Sequence, residues 1–412
     1  MSGLGPVDRR ALVSVAIQFF VNGMMAGSYV ARLPEIRDHV GVTVTQLGIM
    51  LTTAGLFGLV GSLLAGRIIE RWGTRTVLVC GAGVMVFSVP AIGIAASPVA
   101  LVLALISYFF LDILVDISMN LQGSWISARR SVPVMNRLHG MWSLGSVVGG
   151  LAASRAASAS ISLSTHLALV GASCAVLLVV VVRGLLSTDE TSGAVSGPAA
   201  ADPAGGAAEP LPRSPRRRWL PLLLIASAGA FAVVLETTGG DWAAFRLVDD
   251  LGAGAGAAGL AFVAFTVGMT IGRISGDLVQ ARLGASPVHR LALALSAAGL
   301  VAASLVPDRS VVLAGYLVLG LGAATLLPRL YDDAAKMPGR RGAGLGAMTS
   351  GTRVASLIGP TLVGLIAGTR WGIGDAIAVV ALPSVVAFAV VTATIGRLSA
   401  PVPPLLAIDP DR

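Results

Sequence analysis

The sequence is poor in charged, cysteine and aromatic residues. Only 12% of its 412 residues are Asp, Glu, Lys or Arg, about half of the fraction that is usual in soluble proteins. Hydrophobic residues make up 55% of the chain, and the mean hydropathy is +0.84. Such a chain has too little polar surface to face water on all sides, which excludes a large soluble enzyme and a disordered chain. The composition predicts an all-α polytopic membrane protein.

Motifs that would indicate catalysis are also missing. The two cysteines, Cys80 and Cys174, lie inside apolar runs and not in a metal-binding or redox spacing. The phosphate-binding pattern Gly-x4-Gly-Lys-Ser/Thr does not occur, which argues against ATP-driven transport by this chain alone. No Ser-His-Asp or metal-ligand constellation stands out. We therefore expect no enzyme activity, no cofactor and no metal site.

The apolar residues fall into twelve runs, each near the roughly 20 residues that a membrane-spanning helix needs. Six runs precede and six follow a segment rich in Pro, Ala, Gly and Ser, which cannot bury a core and predicts a flexible linker. The predicted domains are a six-helix bundle at 1–186, a cytoplasmic linker at 187–218 and a second bundle at 219–412. The runs lie at 11–31, 44–65, 76–96, 99–121, 139–159, 165–184, 219–238, 257–275, 288–306, 311–328, 343–367 and 373–396.

Basic residues are distributed unevenly between the two ends of these predicted helices. If the N-terminus is cytoplasmic, 22 of the 29 Lys and Arg residues lie in inside segments and six in outside segments, and Arg353 lies within a run. Because Lys and Arg accumulate in cytoplasmic loops, we expect both termini in the cytoplasm and the chain in the cytoplasmic membrane. The same distribution explains the net charge of +8 without a nucleic-acid partner.

A short motif recurs in the two halves of the chain. Gly66, Glu70, Arg71, Gly73 and Arg75 follow the second run. A weaker copy follows the eighth run, 206 residues later. Parallel six-helix repeats are typical of transporters whose binding site lies between the halves. The residues of the weaker copy are Gly272, Arg273, Gly276, Asp277 and Arg282.

The first copy resembles the loop between helices two and three of the major facilitator superfamily, which usually has Asp at the position of Glu70. With the six-plus-six spacing, the resemblance extends over nearly the whole chain. It implies a twelve-helix fold, alternating access, and a cavity lined by helices one, four, seven and ten. The motif carboxylate and arginines are expected to pair with each other and with helix dipoles at the cytoplasmic helix ends, where they latch the halves.

A finer resemblance is carried by the fourth run and the segment after it. Asp116-x3-Asn120 and the later His139 are similar to the fucose-permease-like branch, in which the helix-four acid is a protonatable coupling residue. The resemblance assigns that role to Asp116, with Asn120 nearby. The sequence departs from the fucose permeases before Pro34, where it has no acid, so fucose itself is not favoured.

Depth in the membrane favours a different acid. Asp112, Asp116 and Asn120 are four residues apart and share one face of helix four. At about 1.5 Å per residue, Asp112 lies nearer the midplane of the bilayer and Asp116 nearer the cytoplasm. Either acid can carry the proton. Alternatively, Asp116 is a latch partner for the motif arginines, and Asp112 forms a structural pair with another helix.

Arg353 lies at mid-depth in run eleven. A buried guanidinium needs a carboxylate or an anionic ligand. It pairs with Asp112 or Asp116 across the halves, or grips a carboxylate or phosphate of the substrate, or bonds to backbone carbonyls in a structural role.

Five further polar residues are candidates for the transport pathway. The late helix-seven trio of Glu236, Asp241 and Trp242 is predicted at the external mouth. Asn22, at mid-depth in helix one, is expected to bind substrate or to join helices. His139 is a proton relay or a solvated helix-end residue.

These features predict a monomeric secondary active transporter in the lipid bilayer. Its expected partners are protons and a small polar solute, a sugar or an organic acid, moved by symport. The alternative is proton-coupled efflux of a drug or metabolite. The usual cue for efflux is a cavity lined by aromatic residues, and aromatic residues are only 5% of this chain.

Overall fold

The computed structural model describes residues 6–130, 134–187, 215–335, 337 and 343–398. Within these ranges the secondary structure is helical, with twelve long helices in the predicted order. They are α1 Pro6–Val30, α2 Val44–Trp72, α3 Thr74–Ile94, α4 Pro98–Arg130, α5 Met135–Ser158, α6 Leu163–Gly184, α7 Pro215–Asp241, α8 Ala255–Leu283, α9 Ala285–Leu305, α10 Arg309–Ala323 with its continuation Leu326–Ala335, α11 Ala343–Ala367 and α12 Ile373–Leu398.

Eleven of these helices are long and apolar enough to cross a membrane. The remaining one, α5, includes Arg137, His139 and Arg155 and packs along α1. The predicted twelve-helix architecture is thereby confirmed. We call α1–α6 the first half and α7–α12 the second half. The terminal face is the end of the bundle at which α1 begins and α12 ends, and the distal face is the opposite end.

The helices depart from the apolar runs where polar residues continue or interrupt a helix. α2 extends to Trp72 and α4 to Arg130, several residues past the ends of their runs. A short helix at Leu33–Val40 and a segment at 243–250 form the distal connections after α1 and α7. Hydropathy alone does not include these pieces, because polar residues interrupt the apolar pattern there.

Glycines with positive φ permit the tight turns between paired helices. Gly73 (φ 78°) joins α2 to α3, and Gly284 (φ 83°) joins α8 to α9. The turn in the second half thus lies at Gly284, and Gly272 lies well inside α8 against Leu321 of α10. Gly66 likewise lies inside α2, so the two copies of the motif correspond within the helices and differ in where the following turn glycine lies.

The small-residue spacing Gly145-x3-Gly149 in the sequence suggests close packing that slides between the halves. Its packing lies within the first half instead. A Cβ on Gly145 would overlap the carbonyl oxygen of Phe20 on α1, and a Cβ on Gly149 would overlap that of Met24. The linker at 188–214 lies outside the described residues, so the domain boundaries at 1–186, 187–218 and 219–412 stay a prediction.

We expect Gly145→Ala to destabilise the protein by a few kcal/mol, because its methyl group has no space against α1. Gly83→Ala is the matched control, since a Cβ there meets no atom within 4 Å. Its stability should stay equal or rise by up to about 1 kcal/mol through helix propensity. Thermal unfolding in detergent measures both, and equal melting temperatures would contradict the packing.

Candidate functional site: a central polar cavity

A cavity of about 620 Å³ lies between the two halves. Its lining comes from α1, α2, α4 and α5 of the first half and from α7, α8 and α11 of the second half. Helix α10 contributes no residue to the lining, so the expected set of helices one, four, seven and ten is corrected. The ionisable side chains of the lining are Asp112, Asp116, His139, Glu236, Asp241, Arg273 and Arg353.

The distal side of the cavity is closed by close contact between the halves. On one flank, Thr45 donates a hydrogen bond to the carbonyl of Gly364 (2.7 Å) and Thr52 donates one to that of Leu357 (2.7 Å). A Cβ on Gly48 would overlap the carbonyl oxygen of Pro360, so only glycine permits this approach of α2 to α11. Together these contacts seal α2 against α11.

The other distal flank joins α5 to α8. Ser154 donates a hydrogen bond to the carbonyl oxygen of Gly256. A side chain on Gly256 would overlap Ser158, and one on Gly150 would overlap Val263. The distal end of the cavity is therefore walled on both flanks by small residues.

A charged contact lies over this closed face. Arg37 of the short helix Leu33–Val40 binds both carboxylate oxygens of Asp249 in the 243–250 segment, one of them at 2.9 Å. Its guanidinium carbon lies 5.4 Å from the ring centroid of Phe245. Burial lowers the pKa of Arg37, but its hydrogen bonds to Asp249 and Asp38 outweigh this and raise the pKa above its usual value.

The terminal side has the opposite character. Every hydrogen bond and ion pair between described residues of the two halves lies in the distal half of the bundle. His139, at the terminal end of α5, is solvent-exposed and lines the cavity. The cavity is thus sealed on the distal side and accessible from the terminal side.

The first motif copy does not form the expected latch in this conformation. Glu70, Arg71 and Arg75 are all exposed, and no ion pair joins them to another described residue. Arg75 donates a hydrogen bond to the carbonyl of Val182 on α6 (3.0 Å). The surroundings of Gly66 are open: a Cβ atom at this position would have no neighbour within 4 Å. In the second copy, Arg282 lies in the last turn of α8, and the side chain of Asp277 is outside the described set.

Asp112 is held by a neighbouring helix. Asn22 of α1 donates a hydrogen bond from Nδ2 to Asp112 Oδ1 (3.0 Å), and both residues line the cavity. The sequence predicts that Asn22 either binds substrate or joins helices. The structure shows the bond between helices, and Asn22 also lines the cavity, where its amide is within reach of a solute.

Asp116 lies one turn further toward the terminal face. Asn120 donates to its side chain (3.0 Å) and to its backbone carbonyl (2.8 Å). Arg353, across the cavity, is near enough for its charge to act on Asp116. No direct ion pair joins Arg353 to a described carboxylate. The predicted pairing of Arg353 with Asp112 or Asp116 is therefore not formed in this conformation, although Arg353 lies near Asp116.

The second half contributes one ion pair and one unbonded acid. Arg273 on α8 contacts Glu236 on α7 at 3.4 Å. Asp241 lines the distal part of the cavity without a hydrogen-bonding partner among the described side chains. Trp242 does not line the cavity: it is 1% exposed and packs against Phe245 at 5.2 Å between ring centroids, beneath the distal contact. Glu236 and Asp241 thus lie inside a closed face and not at an open external mouth.

Aromatic residues concentrate at the cavity despite their scarcity in the chain. Seven of the 21 aromatic residues belong to its lining. The sequence indicates neither this clustering nor the Arg37–Asp249 contact, because isolated rings and loop charges carry no periodic signal. The seven are Phe19, Tyr29, Tyr108, Phe109, Trp142, Phe262 and Phe265.

Comparison with known protein families identifies the family of this twelve-helix chain. The chain matches the Major Facilitator Superfamily over residues 15–245, more than half of its length. The chain belongs to this superfamily.

An uncharacterized MFS-type transporter of Yersinia pestis is 24% identical over 361 residues, covering 86% of this chain and 88% of its own length. An uncharacterized transporter of Sinorhizobium fredii is 25% identical, covering 86% and 90%. The membrane protein MosC of Rhizobium meliloti is 24% identical, covering 88% and 85%. The superfamily relation thus extends across both halves.

Solved structures support the same fold. The nucleoside transporter NupG, as a D323A mutant, superposes with a TM-score of 0.69 at 13% identity, covering 94% of this chain and all of its own. A bacterial homologue of the human lysosomal transporter Spinster, in an inward-facing and occupied conformation, gives 0.63 at 14% identity, covering 96% of each chain. At these identities the likeness establishes the fold alone.

The distal contact generates a prediction. Arg37→Asp should open the distal face through like-charge repulsion from Asp249, and the double variant Arg37→Asp/Asp249→Arg should close it again. The readout is labelling of Gly240→Cys, in a Cys80→Ser background, by a membrane-impermeant maleimide from the distal side. Gly240 lines the cavity and has space for a side chain.

We expect labelling to be several-fold faster in Arg37→Asp and near the starting rate in the double variant. Arg309→Ala is the control, because Arg309 bonds only to backbone carbonyls of the distal segment Leu251–Gly252. Equal labelling in the single and double charge variants would show that Arg37–Asp249 does not hold this face.

Proposed function

We propose that the chain is a secondary active transporter that moves a small polar solute across the cytoplasmic membrane by proton-coupled symport. The observation that carries this proposal is the convergence of four carboxylates and two arginines from both halves in one cavity closed on the distal side. Because a charge in hydrocarbon costs at least a few kcal/mol, ionisable groups persist there when they face a pathway for ions or solute.

The excess of basic residues at the terminal face supports its assignment to the cytoplasm. The conformation is then inward-facing. The solvent-exposed Glu70 and Arg71 fit this state, since a latch at the cytoplasmic helix ends forms when the halves close there. In the outward-facing state the distal contacts separate and the motif residues pair. The distal face and the terminal face therefore open in turn as the two halves rock against each other.

Asp112 and Asp116 are the proposed proton carriers. They lie one helical turn apart on α4, and Asn22 and Asn120 orient them by direct hydrogen bonds. A proton on either acid removes a charge from the cavity, and a proton on Asp116 weakens its attraction to Arg353 across the halves. Proton binding thereby alters the energy of closing the halves around the solute.

The substrate class is a sugar or an organic acid, and the two arginines favour an organic acid. Arg353 has no direct partner among the described side chains, and a carboxylate is the group that satisfies a guanidinium best. The relation to the fucose-permease-like branch is part of this proposal, as is action as a monomer.

Proton-coupled efflux is the second candidate. A specific observation favours it: one third of the aromatic residues line the cavity. The scarcity of aromatic residues in the whole chain is therefore a poor guide to the cavity. Vesicles of opposite orientation distinguish the two directions, since symport and antiport move protons oppositely relative to the solute.

The proton experiment uses proteoliposomes that contain a pH-sensitive dye and receive sugars, organic acids and cationic drugs in turn. We expect a solute-dependent pH change in the wild type that is lost in Asp112→Asn or in Asp116→Asn. Asp375→Asn is the control, because Asp375 is an exposed first-turn residue of α12. Solute uptake without proton movement in every variant would contradict proton coupling.

Arg353 gives a separate prediction on the substrate. Arg353→Lys keeps the charge but loses the paired N–H groups, so uptake of an organic acid should fall about tenfold, through a raised KM. Arg155→Lys, on the distal end of α5, is the control. If the kinetics of organic-acid uptake are unchanged in Arg353→Lys, the proposal that Arg353 binds the anionic group of the substrate is contradicted.

A further inference from the structure

The closed distal end of the cavity is rich in hydrogen-bond acceptors. Asp112 of the first half and Asp241 of the second half both line it, together with Tyr29 of α1. Neither carboxylate forms an ion pair with a described basic side chain. Both acids therefore line the closed end without an ion-pair partner among the described side chains.

Two buried polar atoms next to these acids lack a partner. Asn22 is 4% exposed and uses its amide nitrogen on Asp112, which leaves Oδ1 without a hydrogen bond. When Asp112 is ionised its carboxylate only accepts, so the amide nitrogen of Asn22 faces it and Oδ1 points away. The hydroxyl of Tyr108, 3% exposed, is also unpartnered. Buried polar atoms are normally satisfied, so a ligand that enters this end of the cavity meets two atoms with unused hydrogen-bonding capacity.

The arginines of the cavity face acids other than Asp112 and Asp241. Arg273 forms its ion pair with Glu236, and Arg353 acts on Asp116. The distal part holds the two acids and the aromatic pair Tyr29–Tyr108, whose ring centroids are 5.0 Å apart. Acceptors and π faces without a cation are the surroundings that an ammonium group requires.

We infer that this closed end binds a protonated amine of the substrate, so that the transported solute is a small amine-bearing molecule. The assignment rests on the proposed function and narrows its substrate class. The three N–H groups of a primary ammonium match three acceptors: the two carboxylates and Asn22 Oδ1. The hydroxyl of a sugar would leave at least one carboxylate uncompensated, and a carboxylate of the solute would be repelled.

The alternative is that protons alone neutralise Asp112 and Asp241, with no ligand amine. Binding by matched compounds separates the two cases. The compounds are compared in three pairs: D-glucosamine with D-glucose, 4-aminobutyrate with 4-hydroxybutyrate, and n-butylamine with n-butanol. The melting temperature of the purified full chain is measured at increasing concentrations of each compound. In each pair the amine replaces a hydroxyl group and little else changes.

We expect at least one amine to raise the melting temperature in a saturable way, with its hydroxyl partner binding at least about tenfold more weakly. Asp241→Asn and Asn22→Ala should abolish this preference, whereas Asp375→Asn should keep it. The melting temperature without ligand checks that each variant is folded. Equal binding of both members of every pair, absence of binding by every amine, or an unchanged preference in Asp241→Asn overturns the inference.

These outcomes are separable from those of the proposed function. If a neutral sugar or a simple organic acid drives proton movement and Asp241→Asn leaves that movement unchanged, the transporter stands and the amine site fails. If amines bind with the expected preference but no solute moves protons, the amine site stands and the proton coupling fails.

Discussion

The cost of a charge in hydrocarbon is the constraint on which the interior of this protein depends. Four carboxylates and two arginines lie within helices that cross the membrane, and all six converge on one cavity. None of them has a compact, fully satisfied ion pair of the kind that a purely structural role would favour: Glu236 and Arg273 approach only to 3.4 Å. Water in the cavity solvates these groups, which the hydrocarbon core of the bilayer cannot do.

The hydrogen bonds that close the distal face differ from the packing inside each half. Apart from the Arg37–Asp249 ion pair and the Thr361–Thr52 hydrogen bond, the hydrogen bonds across the halves run from serine and threonine hydroxyls to backbone carbonyls, as in Thr45–Gly364 and Ser154–Gly256. Each such bond contributes only about 1 kcal/mol net, so it is gained and lost at small cost. The larger interlocking surfaces, such as Gly145 against Phe20, lie within one half and move with it.

The helices were predictable because the bilayer sets both their length and their composition. The intramembrane acids were predictable for the same reason: Asp112 and Asp116 are conspicuous in an apolar run. The Arg37–Asp249 contact was not predictable, since both residues resemble solvated loop charges and are 212 positions apart. The cavity lining also escaped prediction: which helices approach the cavity depends on how the halves are tilted, and α8 and α11 take the place expected for α10.

The central claim is that the two faces open alternately about the cavity. Spin labels on His39 and Ser310 report the distal face, and labels on Arg67 and Gln280 report the terminal face, all at exposed positions. Electron–electron distance measurements in lipid nanodiscs at acidic and alkaline pH, with Cys80 replaced by Ser, test the claim directly. The account predicts that the distal distances lengthen as the terminal distances shorten. Distances that stay fixed, or that lengthen at both faces together, would contradict it.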